Sequence, residues 1–433
     1  MMPLDLRDAY GLFHRAIPIF ALMSVRGIKV DSSALADLGR DVKAELAKLD
    51  EALHSDLTKQ YKRKYGQDFD PNSNRHKQMI FFDVMGLNHL RLTKGGEKAA
   101  KTGKKLKSDH YAVDAATLDH LLTQVDEISV EADLIYAARD RSHLVKLQGY
   151  VTGWQTLMDQ DGYLHPSFLL HSVTSYRSSS SDPNFQNIPA RDPLLSRIRK
   201  CLVPRHDWLV EMDFSGAEVR GYAIHGGEGG LARMVRDGVD MHRTYAEILF
   251  GKDSVTSQER YKGKNGFVFP EFYGSYHETI ERNYPEWRGR VKDAEDRMWG
   301  DMPEVKAWQT GIEKEYLKTG ILPYLTGFRA RFGNQGFLSR NQICNIPNQG
   351  FAFHRLLKVL CDVEDEMRAR QMKSIIIGQI HDSVVADVLD DELEAYLDLV
   401  GKIVARPAFG FDKLVPWEAE FKIGANMLGM EKV

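Results

Sequence analysis

Residues 208–220 read WLVEMDFSGAEVR, and residues 374–388 read SIIIGQIHDSVVADV. Each places a carboxylate at the end of an apolar run. Trp208, Leu209 and Val210 lead through Glu211 and Met212 to Asp213. That pattern predicts a strand ending at Asp213 and a helix starting near Gly216. In the second stretch, only His381 and Asp382 separate the apolar runs Ser374–Ile380 and Ser383–Val388. This predicts a tight hairpin with a carboxylate at its tip. Burying one carboxylate without a partner is costly, and burying two side by side is worse. A divalent cation resolves the conflict. Mg²⁺ takes one or two carboxylates, with water and substrate phosphate completing its octahedron. Two such ions about 3.5–4 Å apart can hold the attacking and leaving oxygens of an in-line phosphoryl transfer. Taken singly, each aspartate has a plainer role: Asp213 as the cap of the following helix, Asp382 as a turn residue.

The surrounding chain is mostly helical. Asp31, Ser32 and Ser33 offer an N-cap for a long amphipathic helix reaching Tyr65, with Leu35, Leu38, Val42, Leu46, Leu49 and Leu53 on one face. A short helix is expected over 72–84, stopped by Gly86, and another over 127–158 despite Gly149 and Gly153. Residues 162–172 read as strands, 231–316 as helix-rich, 348–370 as one helix and 391–404 as a further one.

Composition narrows the class. The chain has 433 residues, 43% of them apolar, which argues for two or three subdomains and against global disorder. Three cysteines make no disulfide framework and show no zinc-ligand spacing, consistent with a reducing cytoplasm. No uncharged apolar run is long enough to span a membrane, and the start does not read as a signal peptide. The net charge is −3, yet residues 59–109 carry 13 basic side chains against 5 acidic ones, a local +8. Such a patch binds phosphate, or is simply a solvated helical surface with a Lys/Gly loop at 94–107.

Read together, the motifs resemble the polymerase portion of family A DNA polymerases, the bacterial DNA polymerase I type. DFSGAEVR at 213–220 and QIHDSVV at 379–385 are similar to the segments carrying that family's two catalytic aspartates. Arg260, Lys264, Phe269, Tyr273 and Gly274 resemble its nucleotide-binding fingers helix. YRSSSSDPNFQNIP at 176–189 and NIPNQG at 345–350 resemble two further segments. The five blocks stand in family order. MSVRGIKVD at 23–31, residues 69–122 and VPWEAEFKIGANM at 415–427 extend the likeness almost end to end.

The resemblance implies an α+β right-hand fold: an antiparallel palm sheet flanked by helical thumb and helical fingers. The expected division is a palm-side segment at 1–33, thumb at 34–150, palm at 151–225 and 345–433, and fingers at 226–344. It implies Asp213 and Asp382 as catalytic residues holding two Mg²⁺ ions, with the Phe214 carbonyl as a third ligand. Glu218, His242, Arg260, Lys264, Phe269 and Tyr273 would bind the nucleotide, Glu218 lying beneath the incoming sugar. Arg177, Gln186, Asn187, Asn345, Gln349 and His381 would face the duplex. Each has an ordinary alternative: an exposed basic face for Arg260 and Lys264, core packing for the aromatics, a helix-surface glutamate for Glu218, and a core or surface histidine for His242.

One feature departs from the family pattern. Lys264 and Phe269 are five apart where a regular four-residue interval is expected, so later side chains would rotate by about 100°. A bulge or break at Gly266 would absorb the extra residue. The expected partners are primer-template DNA and dNTPs, with no membrane. Any proofreading or processivity factor would be separate, since too few residues precede the thumb-like helix for an exonuclease. Asp362-Val363-Glu364 has a nuclease-like spacing but reads as a solvated helix face. The rival readings are a single-subunit RNA polymerase, an inactive nucleic-acid-binding scaffold and a two-metal nuclease. Location in the cytoplasm of a bacterial or phage-infected cell is expected.

Overall fold

The computed structural model describes residues 5–53, 55–332 and 338–433. The chain divides into two compact units. The larger comprises residues 1–29, 165–187 and 203–433, and the smaller 30–164 and 188–202. Helix α1 (Leu6–Arg26) opens the larger unit behind a capping box formed by Asp5 and Asp8.

The smaller unit is helical. Helix α2 (Ser32–Ala52) starts where Asp31 accepts the Ser33 and Ala34 N–H groups, both at 3.0 Å. The expected continuation to Tyr65 is interrupted. Leu53 turns into the core, and α3 (Asp56–Tyr65) begins afresh with the Ser55 hydroxyl as its cap. Leu35, Leu38, Val42 and Leu46 are buried, and α2 packs on α4 (Val130–Leu157). Gly149 and Gly153 face open space, so neither breaks α4. A second core gathers Tyr61, Ile80, Phe81, Leu118, Leu121, Leu134 and Ile135. The lysine-rich stretch is not all loop: Lys94–Lys101 is a helix capped by Thr93.

The larger unit is built on one sheet. After the two-stranded pair β1 (Ser167–Leu169) and β2 (Ser179–Ser181), strand β3 (Trp208–Phe214) runs one residue past Asp213. Helix α5 (Ala217–Gly226) follows at once. Then come α6 (Met241–Phe250), α7 (Ser257–Gly263), α8 (Val291–Asp301) and α9 (Pro303–Thr319), a hairpin of β4 (Ile321–Pro323) and β5 (Arg329–Arg331), and α10 (Arg340–Ala369). Strands β6 (Ile375–Ile380) and β7 (Ser383–Val388) form the expected hairpin. Helix α11 (Leu393–Ala405), β8 (Ala419–Gly424) and β9 (Glu431–Lys432) close the chain. The sheet order is β9-β8-β3-β7-β6, antiparallel at every pairing. Strand β7 is buried along its whole length, which explains its near-continuous apolar sequence.

Helix α10 starts eight residues earlier than the periodicity suggests. A capping box of Ser339 and Gln342 nucleates it, so Pro347 and the whole NIPNQG segment lie inside the helix. Its fully buried Arg355 pairs with fully buried Asp412 at 2.9 Å and donates to the Val404 and Arg406 carbonyls. This fixes α10 to the segment after α11.

Candidate active site

Strands β3 and β7 place the two aspartates together. Asp213 lies opposite Ser383, and the Phe214 N–H donates to the Asp382 carbonyl at 3.3 Å. The hairpin tip is held from below. Gln379 donates through Nε2 to the His381 carbonyl, and its Oε1 accepts from Ser178 and from Gln186 (2.7 Å). His381 adopts φ +51°, which lets two residues close the turn. Arg177 reaches Asp382 at 3.5 Å.

The face carrying Asp213 is crowded with carboxylates. Glu211 precedes it by one pleat, and Glu420 lies opposite on β8. Lys422 pairs with Glu211 at 2.9 Å and Lys432 with Glu420 at 2.8 Å. Among the described residues no lysine forms an ion pair with Asp213, and Lys422 acts on it only through its charge. Burial, then Asp382 and Glu211, push its carboxyl up to about 6. A site that penalises its own negative charge favours a cation. Two carboxylates and a neighbouring main-chain carbonyl form a hard oxygen donor set that suits Mg²⁺. Among the described residues no three His, Cys, Asp or Glu side chains are arranged to hold one metal ion, so water and substrate oxygens would have to complete the shell.

The expected nucleotide residues gather beside this face. Glu218 sits in the first turn of α5 and accepts the Tyr273 hydroxyl at 2.7 Å. Burial raises both groups, and Glu218 further raises the Tyr273 phenol. The extra residue after Lys264 is absorbed as the spacing suggests. Lys264–Val268 forms one π-helical turn, after which α-helix resumes over Phe269–Phe272. Gly266 is required there, because a Cβ would meet Trp287 and Tyr284 at 2.7 Å. With the extra residue taken up, Phe269 and Tyr273 stack at 5.8 Å, nearly parallel. Lys264 Nζ lies 5.2 Å from the Phe269 ring, and the His242 ring lies 5.7 Å from it. His242 is buried, and burial, followed by Lys264 and Arg260, lowers it to about 4. Three nitrogen-bearing side chains from α6, α7 and the π turn thus converge. Arg260 is oriented by Asp240 at 2.7 Å, the residue that caps α6.

The residues expected to face a duplex divide. Asn187 and His381 are exposed, while Arg177, Asn345 and Gln349 are half-buried. Asn345 keeps a buried Oδ1 without a hydrogen bond. Gln186 is placed differently: it is buried, and its amide is consumed by Ser178 and Gln379. It supports the hairpin from beneath rather than presenting a polar edge. Sequence reasoning missed Glu271 and Asn348, both fully buried polar residues on site-bearing helices. Asn348 opens the helix expected over 348–370, where an asparagine is an ordinary N-terminal residue, so its burial left no signal in the sequence.

A five-stranded antiparallel sheet with one carboxylate near a strand end and another at the tip of the adjoining hairpin, flanked by a helical segment bearing Arg, Lys and stacked aromatics, has the organisation of a polymerase palm and fingers. The model for DNA polymerase family A matches residues 40–428, and the chain belongs to that family. The thermostable DNA polymerase I of Thermus filiformis is 29% identical over 423 residues, covering 95% of this chain and 47% of its own length. The Lactococcus lactis subsp. lactis DNA polymerase I is 27% identical over 396 residues, covering 88% and 42%. The chain thus spans about half the length of the curated relatives it matches. The fold is shared with the POL domain of Pol1 from M. smegmatis, solved in complex with DNA primer-template and dNTP. Its TM-score is 0.77 at 22% identity, over 95% of this chain and 69% of that one. No helix among the described residues is long and apolar enough to cross a membrane.

Proposed function

We propose that this chain is a template-directed DNA polymerase that adds deoxynucleotides to a primer 3′-OH. The observation that carries the reading is the meeting of Asp213, near the end of β3, with Asp382, in the turn that leads into the neighbouring β7, beside the converging Arg260, Lys264 and His242. The primer-template and dNTP named for the M. smegmatis relative are the ligands this reading brings to the chain.

Asp213, Asp382 and the Phe214 carbonyl would hold two Mg²⁺ ions. When bound, these supply Lewis-acid activation of the 3′-OH and neutralise charge on the transferred phosphoryl group. Arg260 and Lys264 contribute fixed positive charge at the triphosphate, where preorganised cations stabilise developing negative charge. His242, held neutral by burial, presents a ring N–H to phosphate oxygen. Phe269 and Tyr273 offer a stacked apolar wall for the base. Glu218, drawn to Tyr273, forms a floor that excludes a ribose 2′-OH. Arg177, Asn187, Asn345, Gln349 and His381 line the approach to the primer terminus. There they can reach the minor-groove acceptors that every base pair shares. Gln186 acts one layer beneath them.

Primer extension in Mg²⁺, comparing dNTPs with NTPs, tests this reading. Extension with dNTPs and little with NTPs is expected. Preference for NTPs would move the chain to the RNA polymerase reading. Binding of primer-template with neither extension would make it a scaffold.

A further inference from the structure

We infer that Asn348 is a positioning residue for Glu218 and, through it, a determinant of sugar discrimination; this rests on the role proposed above for Glu218. Glu218 occupies the first turn of α5, where backbone N–H groups lack helical partners. That turn starts at left-handed Gly216 (φ +60°) and has no side-chain cap. Two side chains tie it down instead. Arg220 reaches back to the Ser215 carbonyl and donates to the Pro416 carbonyl at 2.7 Å. From α10, Asn348 donates through Nδ2 to the Glu218 main-chain carbonyl at 3.1 Å.

The Asn348 contact is built into both helices. Asn348 is fully buried, and a buried amide is costly unless it is hydrogen-bonded. It fits only because residue 221 is glycine: a Cβ there would stand 2.2 Å from Asn348 Oδ1 and 3.2 Å from its Cγ. The buried Tyr222 hydroxyl lies beside the same amide, and the Tyr222 ring stacks on Phe272 at 4.6 Å. Glu218 is therefore gripped at two points, its backbone by α10 and its carboxylate by Tyr273 at 2.7 Å. Steric exclusion of one hydroxyl depends on sub-ångström placement of the excluding atoms. Releasing the backbone anchor lets the first turn of α5 recede and admits the 2′-OH. Insertion of a deoxynucleotide, which has no such group to exclude, changes little.

The test is the ratio of kcat/KM for a dNTP to that for the matching NTP, in wild type, Glu218→Ala, Asn348→Ala, Gly221→Ala and the Asn348→Ala/Gly221→Ala pair. Asn348→Ala is expected to lower the ratio at least about fivefold, through faster NTP insertion, with dNTP kcat within about threefold of wild type. Gly221→Ala, which pushes the amide away from the other side, should lower it too. The double variant should be no worse than Asn348→Ala alone, because the clash is gone. A ratio unchanged in Asn348→Ala while Glu218→Ala lowers it overturns this inference alone. A ratio unchanged in Glu218→Ala overturns the role of Glu218, and this inference with it. A merely structural role would depress both substrates equally. If Asn348→Ala is not recovered folded, Gly221→Ala is read by the same two outcomes.

Discussion

Glu271 shows how a single residue can escape a reading of its sequence. It stands between Phe269 and Tyr273, yet it is fully buried. Trp299 donates to its carboxyl at 3.1 Å, and Gln309 donates to its main-chain carbonyl at 2.9 Å. Burial, then Glu295, push the carboxyl up to about 8, with Lys306 pulling the other way. Between pH 4.5 and 8 the folded chain holds a proton that the unfolded chain has lost. Stability therefore falls as pH rises through that window, by on the order of 4 kcal/mol from this group. Glu271→Gln should remove that component. Urea unfolding at pH 5 and pH 8 checks it, and an unchanged pH dependence in the variant would contradict the assignment. Arg260 gives a second prediction. Arg260→Ala should raise the dNTP KM by roughly 10- to 100-fold in steady-state extension, because a charge-assisted contact is lost. Lys262→Ala, two residues away and paired with Glu286, should leave KM unchanged.

The places of Asp213 near a strand end and of Asp382 in a hairpin turn were legible because each ends an apolar run. Gln186 was not. Polarity reads as exposure, while the partner that buries it, Gln379, lies 193 residues away in the chain. No local pattern announces such a contact.

At the scale of elements, spacing proved more informative than propensity. The five-residue interval from Lys264 to Phe269 signalled an irregular turn, and the π segment at 264–268 is its physical form. Gly266→Ala should destabilise the fold by about 1–3 kcal/mol, since the added methyl meets two aromatic rings. A denaturation midpoint equal to that of wild type would show that the rings yield freely. Propensity misled in two places. The apolar stripe of α2 continues through Leu53 and hides the break before Ser55. Pro347 argues against a helix interior, yet the capping box upstream had already started α10. In both, a capping hydroxyl decides the boundary, and its signal is weaker than the periodicity around it.

At the scale of the whole molecule, the net charge of −3 conceals a division. The stretch with local charge +8 lies within the smaller unit, and the carboxylates proposed to act in catalysis lie within the larger. The family was readable in outline because five short motifs occur in order. The supports beneath the candidate site, among them Asn348, Gly221, Gln186 and Glu271, were not, because they are defined by packing between distant segments. The claim on which the rest depends is that Asp213 serves the chemistry rather than the fold. Its most direct test is extension by Asp213→Asn, read alongside primer-template binding by the same preparation. The account predicts that extension falls by at least about 10³-fold while the dissociation constant for primer-template stays within a few-fold of wild type. Near-normal extension by the variant would contradict it.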